Sequence, residues 1–261
     1  MLRDLWQYRQ FIFSSIRNEL INRFVRSKLG GLWVIINPLS QVAIYALVLS
    51  NVLAAKLPGI ENKYAYAIYL MAGLLAWTLF SEIVGRCLNL FIEQANLIKK
   101  MRFPRITLPA IVIGSNLLNN ILLLVAMLGI FFLLGHGFSL AMLWLLPLTI
   151  ILAGFALGVG LVLGVMNVFV RDLAQVVPII LQVWFWFTPI VYPANIIPEA
   201  YRHWLTLNPV YHFTAAYQEI LVYGRSPEFS GLLVVGMLSL ILLMLSLFLF
   251  RRSSEEIVDV L

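Results

Sequence analysis

The sequence predicts an all-α integral membrane protein with six transmembrane helices, and three observations support this fold class. Of the 261 residues, 62% are hydrophobic and only 11% are charged, whereas a soluble domain carries about 25% charged residues. Five runs of at least 18 residues lack Asp, Glu, Lys and Arg altogether. The net charge of +6 comes from basic residues grouped between these runs, which is typical of membrane loops rather than of a nucleic-acid-binding surface.

The N-terminal region, residues 1–28, is predicted to form an amphipathic helix. Apolar residues recur there at helical spacing among basic residues, and we favour a helix in the membrane surface over an ordinary solvated helix. The apolar set is Leu5, Ile12, Ile16, Leu20 and Phe24. Charges extend to Lys28, unlike the start of a cleavable signal peptide, so the first apolar segment is expected to stay in the mature protein.

Each uncharged run is expected to supply one or two spans, because a span needs about 20 apolar residues. The longest run has 65 residues, and a polar interruption around Gly135–Ser139 divides it into a hairpin. The uncharged stretch from His203 to Gln218 is too short and too polar to cross, so we expect a re-entrant or interfacial element there. The predicted spans are residues 32–54, 64–85, 106–134, 143–169, 173–192 and 230–250.

Orientation follows from the basic residues. When both termini are placed in the cytoplasm, 14 of the 18 basic residues fall on the cytoplasmic side. The four that remain outside are Lys56, Lys63, Arg202 and Arg225. The positive-inside rule therefore predicts that both termini are cytoplasmic.

Several kinds of chemistry are excluded or poorly supported. Cys87 is the only cysteine, so an internal disulfide and a cysteine-pair metal site are ruled out. No Gly is followed by Lys and then Ser or Thr, so the chain lacks a phosphate-binding P-loop. Glu82 is the only acid in a predicted span, which gives poor support to proton or sodium coupling. If the protein moves a substrate, a partner most simply provides the energy.

Three segments each allow both a functional and a purely structural interpretation. The basic stretch LIKKMRFPR, Leu97–Arg105, fits a docking site for a soluble subunit and the basic anchor of a loop about equally. Between Trp184 and Tyr217, 10 of 34 residues are aromatic; such rings suit sugars, but composition alone favours an interfacial belt. Glycines 154, 158, 160 and 164 predict close helix packing within or between subunits.

Four strings occur in order along nearly the whole chain. They are NRFVRSKLGGLW (22–33) followed by Asn37-Pro38-Leu39, NLIKKMRFPRITLP (96–109), RDLAQVVPIILQVWFWFTPIVYP (171–193) and LNPVYHFTAAYQEIL (207–221). Together they resemble the membrane subunit of ABC-2 type polysaccharide exporters, a family of O-antigen, teichoic-acid and capsule permeases. The resemblance is strongest to an O-antigen ABC transporter permease.

The resemblance implies one ABC-2 type transmembrane domain over residues 1–261, acting as a homodimer with two copies of a separate ABC ATPase. That ATPase would bind ATP and Mg, so no cofactor, metal site or catalytic residue is expected in this chain. The implied function is export of an undecaprenyl-pyrophosphate-linked O-antigen polysaccharide, used in lipopolysaccharide biosynthesis, across the bacterial inner membrane. The expected partners are this polysaccharide, membrane lipids and the ATPase, and no nucleic acid.

The resemblance also implies roles for particular residues. By this resemblance, residues 1–28 are expected to form an interface helix and residues 93–104 a coupling helix. Residues 193–224 are expected to form an outer gate region with re-entrant helices. The expected ATPase-coupling residues are Glu93, Asn96, Leu97, Lys99, Lys100, Arg102 and Phe103. The residues expected where the lipid pyrophosphate enters are Arg17, Arg23, Arg26 and Lys28. The aromatic residues expected at the channel and gate are Tyr69, Trp77, Phe80, Trp184, Trp186, Tyr192, Tyr201, Trp204 and Tyr211.

Two departures from the family pattern leave the substrate open. Phe24 stands where relatives often have Tyr, and Gln218-Glu219 stand where many have Arg. A capsule or teichoic-acid exporter and a small-molecule ABC-2 exporter are therefore alternatives. A membrane-embedded enzyme acting on a lipid-linked sugar is a further alternative, for which Asp172 or His203 would serve as the base.

Overall fold

The computed structural model describes residues 2–25, 29–33, 36, 37, 39, 40, 65–100, 103–133, 137 and 139–260. Most of the first predicted span, 32–54, lies outside these residues. So do Arg26, Lys28 and Arg102, together with the side chain of Arg23. Throughout the described ranges, the regular secondary structure is helical, in agreement with the predicted fold class.

Ten α-helices have bounds within the described residues, together with three short 3-10 segments. Residues 33, 36, 37, 39 and 40 are also helical. The α-helices are α1 (Leu2–Gln7), α2 (Arg9–Val25), α3 (Ala65–Glu93), α4 (Ala95–Lys100), α5 (Thr107–Leu133), α6 (Leu145–Phe169), α7 (Leu173–Phe187), α8 (Glu199–Thr206), α9 (Pro209–Tyr223) and α10 (Phe229–Val260). The 3-10 segments are Gly30–Leu32, Leu140–Trp144 and Ala194–Ile196.

Four of these helices are long and apolar enough to cross a membrane: α3, α5, α6 with its preceding 3-10 turn, and α10. The 65-residue uncharged run accordingly forms two helices, α5 and α6. The fifth predicted span, 173–192, corresponds to the apolar helix α7, which has only 15 residues. It ends at Phe187 because Pro189 cannot donate a backbone hydrogen bond and forces the preceding Thr188 into an extended conformation, with ψ 129°.

Helix α3 occupies the interior of the bundle. In its most apolar 18-residue window, 78% of the residues are buried, compared with 17% in α10. The ring of Phe80 on α3 stacks on Phe155 of α6, with centroids 5.7 Å apart. Asn120 on α5 donates to the backbone carbonyl of Leu75, 3.0 Å away. The exposed side of α10 is apolar, as expected of a helix that faces lipid.

Glycines let α6 approach two neighbours closely. A Cβ atom at Gly158 would lie 3.0 Å from the Leu242 backbone of α10, and one at Gly160 would lie 2.7 Å from Cβ of Cys87 on α3. The two pairs of small residues that the sequence singles out therefore pack inside one subunit, each against a different helix.

The N-terminal helix α2 packs on the side of α5. Ile16 fits against Gly114, where a Cβ would overlap the isoleucine side chain. The predicted apolar face is half-buried at Leu5, Ile12, Ile16 and Leu20, so the helical spacing in the sequence marks a packed face. The side chain of Phe24 lies outside the described residues.

Candidate functional site

The helices define two ends of the bundle. The basic end comprises α4, residues 103–105 and the C-terminal turns of α3 and α10, where the Phe91 and Phe250 rings stack 5.6 Å apart. The aromatic end comprises residues 188–224 and the first two turns of α3. Because α3 has 29 residues, these ends are separated by roughly 43 Å, which is enough to cross a bilayer.

At the basic end, α4 displays a small charged surface. Ile98 is buried against the bundle, and this contact fixes the rotation of the helix. Asn96, Lys99 and Lys100 are exposed. Glu93, at the end of α3, is exposed as well, and Leu97 is half-buried. Five of the seven predicted coupling residues therefore lie together, and most of them face outward.

The predicted coupling residue Phe103 connects this surface to the N-terminal helix. Its ring lies 6.3 Å from the ring of Phe11 on α2, centroid to centroid. Farther along α2, Glu19 forms an ion pair with Arg86 of α3, and Arg86 also donates to the Ser115 hydroxyl of α5 at 2.7 Å. Sequence reasoning missed this junction, although a lone Arg in an apolar helix is a signal that a partner is needed.

Of the residues predicted to meet the lipid pyrophosphate, Arg17 is exposed on α2. The side chain of Arg23, and all of Arg26 and Lys28, lie outside the described residues. The structure therefore locates one of the four predicted positions, on a helix that packs against α5.

An aromatic groove of about 400 Å³ runs between α3 and α7. Trp77 and Phe185 meet edge to face in its wall, with ring centroids 5.5 Å apart. Trp186 is 51% exposed beside them. Thr78, Ser81 and Gln182 add polar groups. Phe80 has no exposed surface and supports Trp77 from behind, at a centroid distance of 5.6 Å.

Trp184 has a different environment from Trp186. Its indole N–H donates to the Asn208 side-chain oxygen at 2.9 Å, and the Asn208 amide donates to the Thr188 hydroxyl at 2.9 Å. The same Asn208 oxygen accepts from the backbone N–H of Val210 and caps α9. Trp184 and Asn208 therefore join the end of α7 to the start of α9.

At the aromatic end, some of the remaining predicted aromatics bond to backbone carbonyls, and the others are exposed or line a cavity. Tyr69 is buried, and its hydroxyl lies 3.2 Å from the carbonyl oxygens of Pro189 and Tyr192. The Tyr192 hydroxyl donates to the Trp186 carbonyl at 2.7 Å.

Tyr201 and Trp204 are each 62% exposed on α8. Tyr211, on α9, lines a second cavity together with Tyr69.

The alternative catalytic bases are not brought together. Asp172 is exposed immediately before α7, whereas His203 is exposed in α8, beyond the other end of α7. Within the described residues, no group of three or more His, Cys, Asp or Glu side chains is arranged to hold a metal ion.

The sequence of the chain matches a protein family over most of its length. The family is the ABC-2 type transporter, and the match covers residues 10–222. The chain therefore belongs to the ABC-2 type transporter family and is a membrane permease of this type, which confirms the family resemblance seen in the four strings.

The individual relatives carry names that refer to O-antigen export and to polysialic acid transport. The chain is 31% identical to an O-antigen export system permease protein RfbA of Myxococcus xanthus, over 99% of this chain and 98% of the relative. It is 28% identical to an RfbA of Klebsiella pneumoniae, over 93% and 92% of the two chains. It is 27% identical to the polysialic acid transport protein KpsM of Escherichia coli, over 91% of both.

Proposed function

We propose that this chain is the membrane-spanning permease subunit of an ATP-driven exporter that moves a lipid-linked O-antigen polysaccharide across the bacterial inner membrane. The observation that carries the proposal is the likeness to an O-antigen export permease over 99% of the chain. The groove between α3 and α7 supports it, because aromatic walls with a few hydroxyl and amide groups suit a sugar chain.

The energy would come from a separate ATPase, because the chain has no P-loop. We assign residues 93–104 as the coupling helix, with Glu93, Asn96, Lys99 and Lys100 as its contact surface. These side chains are exposed at the basic end, and buried Ile98 holds them in place. A homodimer bound to two ATPase subunits, which hold ATP and Mg, completes the proposed transporter.

The proposed topology has six spans with both termini in the cytoplasm. Residues 32–54 and 173–192 supply the two spans beyond the four apolar helices, and residues 193–224 form a re-entrant outer gate. The helical structure is interrupted at Thr188 and again at the Asn208 cap of α9. Such interruptions suit a segment that enters the membrane and turns back, provided that its backbone groups find hydrogen-bond partners within the protein. The basic end then faces the cytoplasm.

The substrate path would begin beside α2 and continue along the groove. Arg17, Arg23, Arg26 and Lys28 would attract the lipid pyrophosphate near the cytoplasmic surface. Trp77 and Trp186 would contact the sugars, since both line the groove. Phe80 and Trp184 would support this wall, because the first is fully buried and the second is bonded to Asn208.

Deletion of this chain tests the proposal. Surface polysaccharide is measured by gel and antibody, lipid-linked polymer is measured inside the cell, and the tagged chain is used to purify any associated ATPase. Loss of surface polymer, accumulation of the lipid-linked form inside and copurification of an ATPase are expected. Unchanged surface polymer would overturn the substrate assignment and favour a small-molecule exporter, which a dye-efflux assay would reveal.

A capsule exporter is the second candidate, because the chain is also 27% identical to a polysialic acid transport protein over 91% of its length. The same deletion strain separates the two. Loss of an O-antigen ladder from lipopolysaccharide supports the first candidate, whereas loss of a free capsular polymer supports the second.

A further inference from the structure

The second cavity, at the aromatic end, has a volume of about 230 Å³. One wall is formed by α9, on which Tyr211, Glu219 and Tyr223 follow one another at intervals of eight and four residues and so lie on one side of the helix. Tyr69 and Asn195 line the other side. The volume is below the range of about 300 to 1,000 Å³ that is usual for drug-sized ligands, so the cavity is suited to one sugar ring.

Two of the polar side chains that line the cavity hold the fold together. Gln218 donates to the Pro189 carbonyl at 3.1 Å, and the Tyr69 hydroxyl bonds to the same carbonyl. These two side chains anchor the non-helical segment after α7 to α3 and α9. They are therefore committed to internal bonds and form the floor of the cavity.

Other polar groups in the wall have no such role. Within the part of the chain that the structure describes, the half-buried Glu219 carboxylate and the phenols of Tyr211 and Tyr223 have no side-chain hydrogen-bond partner. Burial, and then the carboxylates of Glu228 and Glu219, raise the pKa of Tyr211 above its usual value, so this phenol stays protonated and able to donate. The cavity thus offers an anionic acceptor, neutral donors and aromatic surface.

This combination selects a class of ligand. Sugar hydroxyls donate strongly to a carboxylate, and a protonated amino sugar would bind it more strongly still. An acidic sugar would be repelled, since its own carboxylate would face Glu219. Arg225, the cation that lies 5.9 Å from the centre of the Tyr223 ring, is not among the residues that line the cavity.

We infer that this cavity is a binding subsite for one neutral or amino-bearing sugar residue of the exported polymer, and that Glu219 excludes acidic sugars from it. The inference rests on the proposed function, since it assumes that a polysaccharide passes the aromatic end. It adds Glu219 as a specificity-determining residue.

The test uses the full-length chain, purified into lipid nanodiscs. One probe is the oligosaccharide released by mild acid from the surface polysaccharide of the source strain, and the other is a hexamer of sialic acid. Binding is measured by saturation-transfer NMR and calorimetry. The wild-type chain should bind the first probe and not the sialic acid hexamer, and Glu219→Gln should bind the first about tenfold more weakly.

Two further variants keep the result interpretable. Tyr211→Phe keeps the ring and removes one phenol, so it should weaken binding a few-fold even if Glu219→Gln fails to fold. Glu228→Gln removes an exposed carboxylate near Tyr211 that accepts a bond from Ser230 at 2.9 Å and does not line the cavity. It should bind like the wild type.

Three outcomes would overturn the subsite. The first is that Glu219→Gln and Tyr211→Phe both bind the released oligosaccharide as tightly as the wild type does. The second is that the wild type binds the sialic acid hexamer as tightly as the released oligosaccharide, and the third is that the surface polymer is composed of acidic sugars. The deletion strain separates these failures from failure of the proposed function. If deletion abolishes surface polymer while the Glu219 and Tyr211 variants bind normally, only the subsite falls. If deletion leaves surface polymer unchanged, the proposed function falls.

Discussion

The aromatic end and the basic end of this permease are held together by different interactions. At the aromatic end, neutral side chains bond to the backbone carbonyls of a non-helical segment, as Tyr66 does to Val191 at 2.7 Å and Gln218 does to Pro189 at 3.1 Å. Toward the basic end, α6 lies close against α3 at Gly160 and Gly164. Beyond that contact, the lysines of α4 are exposed.

This difference predicts which amino-acid substitutions each end tolerates. Apart from the 3-10 turn at Ala194–Ile196, residues 188–198 are not helical. Their carbonyls therefore need donors from elsewhere, and each lost donor is costly in a place without water. The charged side chains of α4 need no protein partner because water solvates them. Substitution of these donors at the aromatic end should therefore disturb the fold, whereas surface substitutions at the basic end should disturb association and leave the fold intact.

The largest effect on stability is expected from a substitution at the close contact between α3 and α6. A side chain at Gly164 would overlap the backbone carbonyl of Cys87, so Gly164→Leu should lower the free energy of unfolding by about 3 kcal/mol or more. SDS titration and the yield of monodisperse protein measure this. The control is Gly236→Leu on α10, where an added Cβ meets nothing within 4 Å. Equal stability of the two variants would contradict the close packing.

The next effect concerns the junction between α7 and α9. Asn208→Leu removes the acceptor for Trp184, the cap of α9 and the donor to Thr188, so a loss of about 2 to 3 kcal/mol in the free energy of unfolding is expected. Asn208→Asp keeps both acceptor bonds and should lose about 1 kcal/mol. Thermal unfolding of the purified variants gives the ranking, and the reverse order would argue against this network.

A smaller effect, confined to association, is expected at the basic end. Lys99→Glu with Lys100→Glu should reduce ATPase copurification about tenfold, because complementary charge at a docking surface is reversed. The thermal stability of the permease should not change, since both lysines are exposed. Arg171→Glu with Arg252→Glu is the matched control, with the same charge change at exposed positions outside α4. If both pairs copurify the ATPase normally, α4 is not the coupling surface.

The smallest effect is expected at the ion pair between Glu19 and Arg86. Both side chains are more than a quarter exposed, so Glu19→Gln should cost about 0.5 kcal/mol, as most partly exposed pairs do. A double-mutant cycle with Arg86→Gln measures the coupling. A coupling well above 1 kcal/mol would mean that this pair, rather than apolar packing at Ile16, attaches α2 to the bundle.

Sequence reasoning predicted the existence of most helices better than their ends. Long uncharged runs identify α3, α5, α6 and α10, because few other structures satisfy such segments. The predicted span at 173–192 extends past the helix, which ends at Phe187, since hydropathy continues through a proline that ends the helix. Conversely, α10 continues to Val260, because Arg251 and Arg252 are good helix formers beyond the membrane.

The candidate site was less predictable from the sequence. Trp184 and Trp186 are indistinguishable by composition, yet one is bonded to Asn208 and the other is half exposed in the groove. Residues two apart on a helix point in different directions. The partner of Trp184 is the N-cap residue of α9, 24 residues along the chain, whereas the carbonyl of Trp186 accepts from Tyr192. The Glu19–Arg86 pair was missed for the same reason, since 67 residues separate its members.

By itself, the sequence determined the class of protein. Composition and run length suffice for an all-α, membrane-embedded chain, because the cost of burying charge in lipid acts on each segment independently, and the four strings add the likeness to ABC-2 permeases. Only the tertiary structure decided which glycines meet which helix, which tryptophan faces the groove, and that Glu219 lies with three tyrosines around one cavity. Those relations depend on helix rotation and on contacts between distant segments, which local pattern does not encode.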